Sequence, residues 1–115
     1  MEIKVSTESG RVPVTILHVD GNIDASTYDQ FQSTAKKLID EGARYILVDL
    51  SHAPFVSSAG LRAILGALKE SRQQGGDLYI AAPQPGVQKI LNMSGFTTIL
   101  KVYPSVEEAV AGFEL

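Results

Sequence analysis

The chain contains no cysteine and no tryptophan. Without cysteine there can be no disulfide and no thiolate metal site. Only two histidines are present, His18 and His52, and neither has a partner at the spacing of a zinc motif. Charge of one sign is also scarce: ten basic against thirteen acidic residues give a formal net charge of −3, with no long run of either. A basic face of the kind that binds nucleic acid is therefore not expected. No apolar stretch approaches the roughly 20 residues needed to cross a bilayer, and Met1-Glu2-Ile3-Lys4 lacks the apolar segment of a secretion signal. The expectation is a cytoplasmic protein that neither inserts in a membrane nor binds nucleic acid. Phosphate-binding and nucleophile signatures are missing too: there is no GxGxxG, GxxxxGK[ST] or GxSxG.

What is there is enough apolar material, 44% of 115 residues, to fill the core of one domain spanning residues 1–115. The order of patterns is regular. Ile3 to Val5 alternates as a short edge strand, Ser9-Gly10-Arg11 is a turn, and Val12 to Val19 is a second, β-branched strand. Asp20-Gly21-Asn22 breaks it. A helix is predicted from Asp24 or Ser26, both good cap residues, with Tyr28, Phe31, Ala35, Leu38 and Ile39 at helical spacing and Gly42 at its end.

Tyr45-Ile46-Leu47-Val48 is a continuous apolar run, as suits a strand covered on both faces, and Asp49-Leu50-Ser51 follows it. A second helix is predicted from Ser57 or Ser58. Leu61, Ile64, Leu65 and Leu68 should form its inner face, and Ala59, Ala63, Gly66 and Ala67 a thin one. Gln74-Gly75-Gly76 ends it. A strand over Leu78 to Ala82, a helix from Pro85 through Leu91, and a last strand over Thr98 to Val102 are predicted in turn. Ser105 with Glu108 then opens a final helix. The sum is a β-β-α-β-α-β-α-β-α order: an α/β fold with a single mixed sheet, mostly parallel inner strands and about four helices.

Two loops are candidates for function. Gly21-Asn22-Ile23-Asp24 ends the second strand, and Phe55-Val56-Ser57-Ser58-Ala59-Gly60-Leu61 joins the third strand to its helix. If both strands point the same way, the loops meet on one rim, where open α/β sheets place their sites. Taken alone, a serine or aspartate before an apolar helix is usually a cap, and Gly60 can serve close packing. A triad drawn from Ser58, His52 and Asp49 has no support from spacing.

The stretch Asp49-Leu50-Ser51-His52-Ala53-Pro54-Phe55-Val56-Ser57-Ser58-Ala59-Gly60-Leu61 resembles the signature of the STAS family, in the form carried by its anti-sigma-factor antagonists. Gly21-Asn22-Ile23-Asp24 is similar to the family's G-x-[LI]-D, and Asn92-Met93-Ser94-Gly95-Phe96 to its segment before the last strand. The resemblance implies a phosphorylatable binding module and not an enzyme, with no cofactor. Its target serine would be Ser58, and Asn22, Asp24, Ser57, Ser58, Ala59, Gly60 and Leu61 would contact the partner. That partner would be an anti-sigma factor with serine kinase activity, bound by the unmodified form so that sigma is freed. A PP2C-type phosphatase would reverse the modification. Ser57 stands where the family often has aspartate, and Ala59 where it often has threonine or serine, which leaves Ser57 as the alternative acceptor. The other reading within the family is a subunit of a membrane transport complex that binds an ATPase without being phosphorylated.

Overall fold

The computed structural model describes residues 1–114. Strands β1 (Glu2–Ser9) and β2 (Pro13–Asp20) form an antiparallel hairpin, in register from Glu2 opposite Asp20 to Ser9 opposite Pro13. Helix α1 (Tyr28–Asp40), β3 (Tyr45–His52), α2 (Ser58–Gln73), β4 (Asp77–Ala81), α3 (Pro85–Met93), β5 (Val102–Tyr103) and α4 (Val106–Gly112) follow. The sheet order is β1-β2-β3-β4-β5, and every pair after the hairpin is parallel. Three successive right-handed crossovers stepping the same way must lay α1, α2 and α3 on one face. The larger core lies there, among Leu17, Ile46, Val48, Leu78, Phe31, Ile64 and Leu91. The other face is covered by α4, whose Ala109, with Phe113 just beyond it, packs on Val14, Leu47 and Tyr79. Phe113 stacks on Tyr79 with ring centroids 4.0 Å apart.

Glycine punctuates the helix ends where a left-handed residue is needed. Gly42 has φ of +111°, and the N–H groups of Gly42 and Ala43 donate to the carbonyls of Ile39 and Leu38. Gly75 ends α2 in the same way.

Three expectations need correction. The predicted last strand, Thr98 to Val102, is mostly not a strand. A 3-10 turn occupies Phe96–Thr98, and only Val102–Tyr103 pairs with β4. Gly95 at φ +80° turns the chain, and the N–H groups of Thr98, Ile99 and Leu100 donate to the carbonyls of Gly95 and Phe96. Phe96 and Leu100 are buried in the larger core, so burial overrides the β-branched signal.

The first helix begins at Tyr28 and not at Asp24 or Ser26, because Asp24 closes its own turn ahead of it: its backbone carbonyl accepts from the N–H groups of Thr27 and Tyr28. On α2 the buried stripe is Ala63, Ile64, Ala67, Leu68 and Ser71, whereas Leu61 and Leu65 are half-buried at its edge. Ala63 and Ala67 belong to the core itself, whereas Ala59 and Gly66 are half-buried.

Candidate functional site

Strand β3 carries one residue more than β2 between the pairs His18–Asp49 and Asp20–His52, a bulge at the end of the parallel ladder. The two chains nevertheless continue side by side past it. The Gly21 N–H donates to His52 O (2.9 Å), Ile23 N–H to Phe55 O (3.1 Å) and Ser57 N–H to Ile23 O (2.9 Å). Ile23 and Val56, both buried, form a further parallel bridge. The two loops singled out in the sequence are thus fastened by backbone hydrogen bonds. Gly60 permits it: a side chain there would collide with the Ile23 carbonyl, and would also stand 2.9 Å from Val56 Cγ1.

On the outer side of this seam, Asp24, Ala25 and Ser26 from one loop face Ser57, Ser58 and Ala59 from the other across a shallow, open depression. Arg62 closes it from the next turn of α2. The two serines are not equivalent. Ser57 is the N-cap of α2: it is half-buried, and its hydroxyl oxygen accepts from the Gly60 N–H at 3.2 Å. Ser58 is the first helical residue, is exposed, and spends its hydroxyl on no other described side chain. Ser57→Ala is therefore expected to lose the cap and about 1 kcal/mol of stability. Ser58→Ala should stay within about 0.5 kcal/mol of the native chain. Urea denaturation of the two variants measures the difference.

Asp24 is fixed by its neighbours. Its carboxylate accepts from the Ser26 hydroxyl (2.7 Å), the Ser26 N–H (2.9 Å) and the Thr27 hydroxyl (3.2 Å). These bonds, the Ser26 hydroxyl foremost, hold its pKa below the ordinary carboxylate value, so it is an anion at neutral pH. The single Thr27 hydroxyl proton is shared with the Asn22 carbonyl, the nearer acceptor at 2.7 Å, bracing the same loop.

Of the predicted contact residues, Asp24, Ser57, Ser58 and Ala59 line the depression. Asn22 is exposed on the same loop, outside the lining. Gly60 is buried and Leu61 half-buried, so both support the rim from below. The sequence reading missed Arg62, although its place four residues after Ser58 puts both on one helix face. It also missed the exposed Tyr28 ring (40% exposed); Phe55, which begins the candidate loop, is exposed as well (45%). An adjoining depression lined by Tyr28 and Gln32 shares Ala25, Ala59 and Arg62 with the first.

Ser58, His52 and Asp49 are not brought together. Asp49 lies on the other face of the sheet's end, where Oδ2 is 2.8 Å from His18 Nδ1 and Oδ1 accepts from the Ser51 N–H at 3.0 Å. A carboxylate only accepts, so His18 Nδ1 carries the proton, and in the neutral ring Nε2 accepts from the Ser6 hydroxyl at 2.8 Å. His52 Nδ1 meets the Ser51 hydroxyl instead, at 3.1 Å.

Burial pushes the Asp49 carboxyl upward, but the Ser51 N–H and His18 outweigh it and hold the pKa below its ordinary value. The sign follows: this group contributes stability above its unfolded-state pKa of about 3.9, and the contribution is lost as pH falls through the lower folded value. Asp49→Asn is expected to cost about 1 kcal/mol at pH 7. The gap between variant and native chain should close below pH 4, as read from denaturation midpoints across pH.

Comparison with known proteins agrees with this architecture. The STAS domain profile matches residues 4–109. A protein of Bordetella bronchiseptica named as an anti-sigma factor antagonist, BtrV, is 32% identical over 84% of this chain and 83% of its own length. The anti-sigma F factor antagonist of Paenibacillus polymyxa is 28% identical over 100% of this chain and 98% of its own. The phosphorylated form of the Bacillus cell fate determinant SpoIIAA superposes with a TM-score of 0.72 at 19% identity, covering 95% of this chain and 96% of that one. With four helices on a five-stranded mixed sheet among the described residues and the family profile matched over most of its length, the chain belongs to the STAS domain family.

Proposed function

We propose that the chain is an anti-sigma factor antagonist, a binding module whose Ser58 is the phosphorylation switch. The observation that carries this reading is the exposed Ser58 hydroxyl at the start of α2, set in a shallow rim that a partner can cover, beside a hydrogen-bonded Asp24 carboxylate. The names of the two relatives support the partner class, an anti-sigma factor. The existence of SpoIIAA in a phosphorylated form supports a phosphorylated state on this fold.

Ser57 is the poorer acceptor, because its hydroxyl already accepts the Gly60 N–H and is half-buried. Asn22, Asp24, Ala59, Gly60 and Leu61 build or hold the contact rim, and the exposed Phe55 and Tyr28 rings supply apolar contact beside it. The partner is an anti-sigma factor with serine kinase activity, which brings ATP, the metal ion and the catalytic base for phosphoryl transfer. This chain supplies only the hydroxyl. A phosphate adds roughly −1.5 to −2 charges at a helix start, where the free N–H groups and the dipole tolerate it, so the fold survives. A partner docked on the rim does not tolerate it, because the charge enters a covered surface already holding Asp24. A PP2C-type phosphatase restores the binding form.

Affinity capture from the native cell, with mass spectrometry of the bound proteins, tests the partner class. The expected catch is an anti-sigma factor with a kinase domain. A transporter ATPase caught in its place would overturn the reading and favour a subunit of a transport complex.

A further inference from the structure

Resting on the reading that Ser58 is phosphorylated, we propose that Arg62 is the receiving group for that phosphate. The pairing would turn the modified side chain along α2 and away from Asp24. Ser58 and Arg62 stand at positions i and i+4 of a 16-residue helix, and both line the depression. Residues so spaced are neighbours on the helix surface, and an anion placed N-terminal to a cation is the favourable orientation. Arg62 is exposed, and among the described residues it makes no hydrogen bond or ion pair, although other basic side chains do: Arg72 bonds Asp77, and Lys36 bonds Asp40 and Glu70. A planar guanidinium matches phosphate oxygens with two parallel N–H donors, which a lysine cannot do.

The alternative direction is closed. Across the depression from Ser58 lies the Asp24 carboxylate, already fixed by the Ser26 and Thr27 hydroxyls. A phosphate leaning that way would meet an anion, and one leaning along the helix meets a cation. The ionisable groups lining the two joined depressions are Asp24, Arg62 and Tyr28, so no second cation lining them competes for the role.

Two consequences follow for the switch. In the unmodified chain Arg62 is free to meet an acidic group on the partner, and phosphorylation withdraws it. The pairing also favours the doubly charged phosphate, so the modified rim carries its full charge at neutral pH.

The test uses the full chain with phosphoserine installed at position 58 during translation, so no kinase is needed. Phosphorus NMR titration reads the second pKa of the phosphate, ordinarily about 6. In the native background it should fall at least ~0.5 unit below its value in Arg62→Gln, with Arg62→Lys between them. Asp24→Asn should lower it further. A value in Arg62→Gln equal to the native one would overturn the proposal. Arg62 is exposed, so both variants should fold, and their Tm values verify it. A kinase that leaves Ser58 unmodified would instead refute the reading on which this rests, and that result is separate from the titration.

Discussion

Ser58→Asp is expected to bind the anti-sigma factor about a hundredfold more weakly than the native chain, while Ser58→Ala binds it as the native chain does. The two variants share the loss of the hydroxyl and differ in charge. Neither touches the cap of α2, which belongs to Ser57, and neither should unfold the domain, since an anion at a helix start is favoured by the dipole. The whole difference therefore falls on the contact surface. An aspartate at position 58 adds a second carboxylate to the rim that already holds Asp24, and an anion forced into a surface that the partner covers costs several kcal/mol, at least two decades in affinity. Titration calorimetry with the purified partner reads it directly. Equal affinities for the two variants would mean that charge at this position does not control binding.

Gly60→Ala is expected to cost about 3 kcal/mol of stability, which lowers Tm on the order of 10 °C for a domain of this size. The added methyl collides with the Ile23 carbonyl, which cannot retreat without breaking its hydrogen bond from the Ser57 N–H. The same seam fastens the Asp24 loop to the start of α2, so the variant should also lose partner affinity where it remains folded. Gly86→Ala is the control: nothing lies within 4 Å of a side chain there, and its backbone is not left-handed. That variant should match or slightly exceed native stability. A Gly60→Ala chain that melts with the native one would show that the loops are not pressed together as described.

Much of the fold was legible because local and global signals agree. The run Tyr45 to Val48 is a strand covered on both faces, Gly42 and Gly75 are left-handed where helices end, and the Ser105 hydroxyl does accept from the Glu108 N–H. The late start of α1 is local, set by the turn that the Asp24 carbonyl closes; the other two failures share a cause, long-range contact. Thr98 to Val102 has strand-like residues, but burial of Phe96 and Leu100 draws that stretch into a turn. The stripe on α2 turns toward its alanines because α1 comes close, which periodicity alone does not reveal.

At the site, the motif pointed to Ser57, Ser58 and Asp24, but two features depend on folding. The division of labour between the serines rests on which hydroxyl reaches the Gly60 N–H. The network of Ser6, His18 and Asp49 joins residues 12 and 31 positions apart, on three strands. Arg62 was within reach of sequence reasoning, through the i, i+4 rule, once Ser58 is placed as the first residue of α2.

On the proposed reading, one exposed hydroxyl, that of Ser58, receives the phosphate and everything else in the switch depends on it. Incubation of the purified chain with its anti-sigma kinase and ATP, followed by peptide mapping, puts this to the test. A single phosphate is expected, on Ser58, and none on a Ser58→Ala chain. A phosphate found only on Ser57, or the same incorporation into Ser58→Ala, would contradict the assignment.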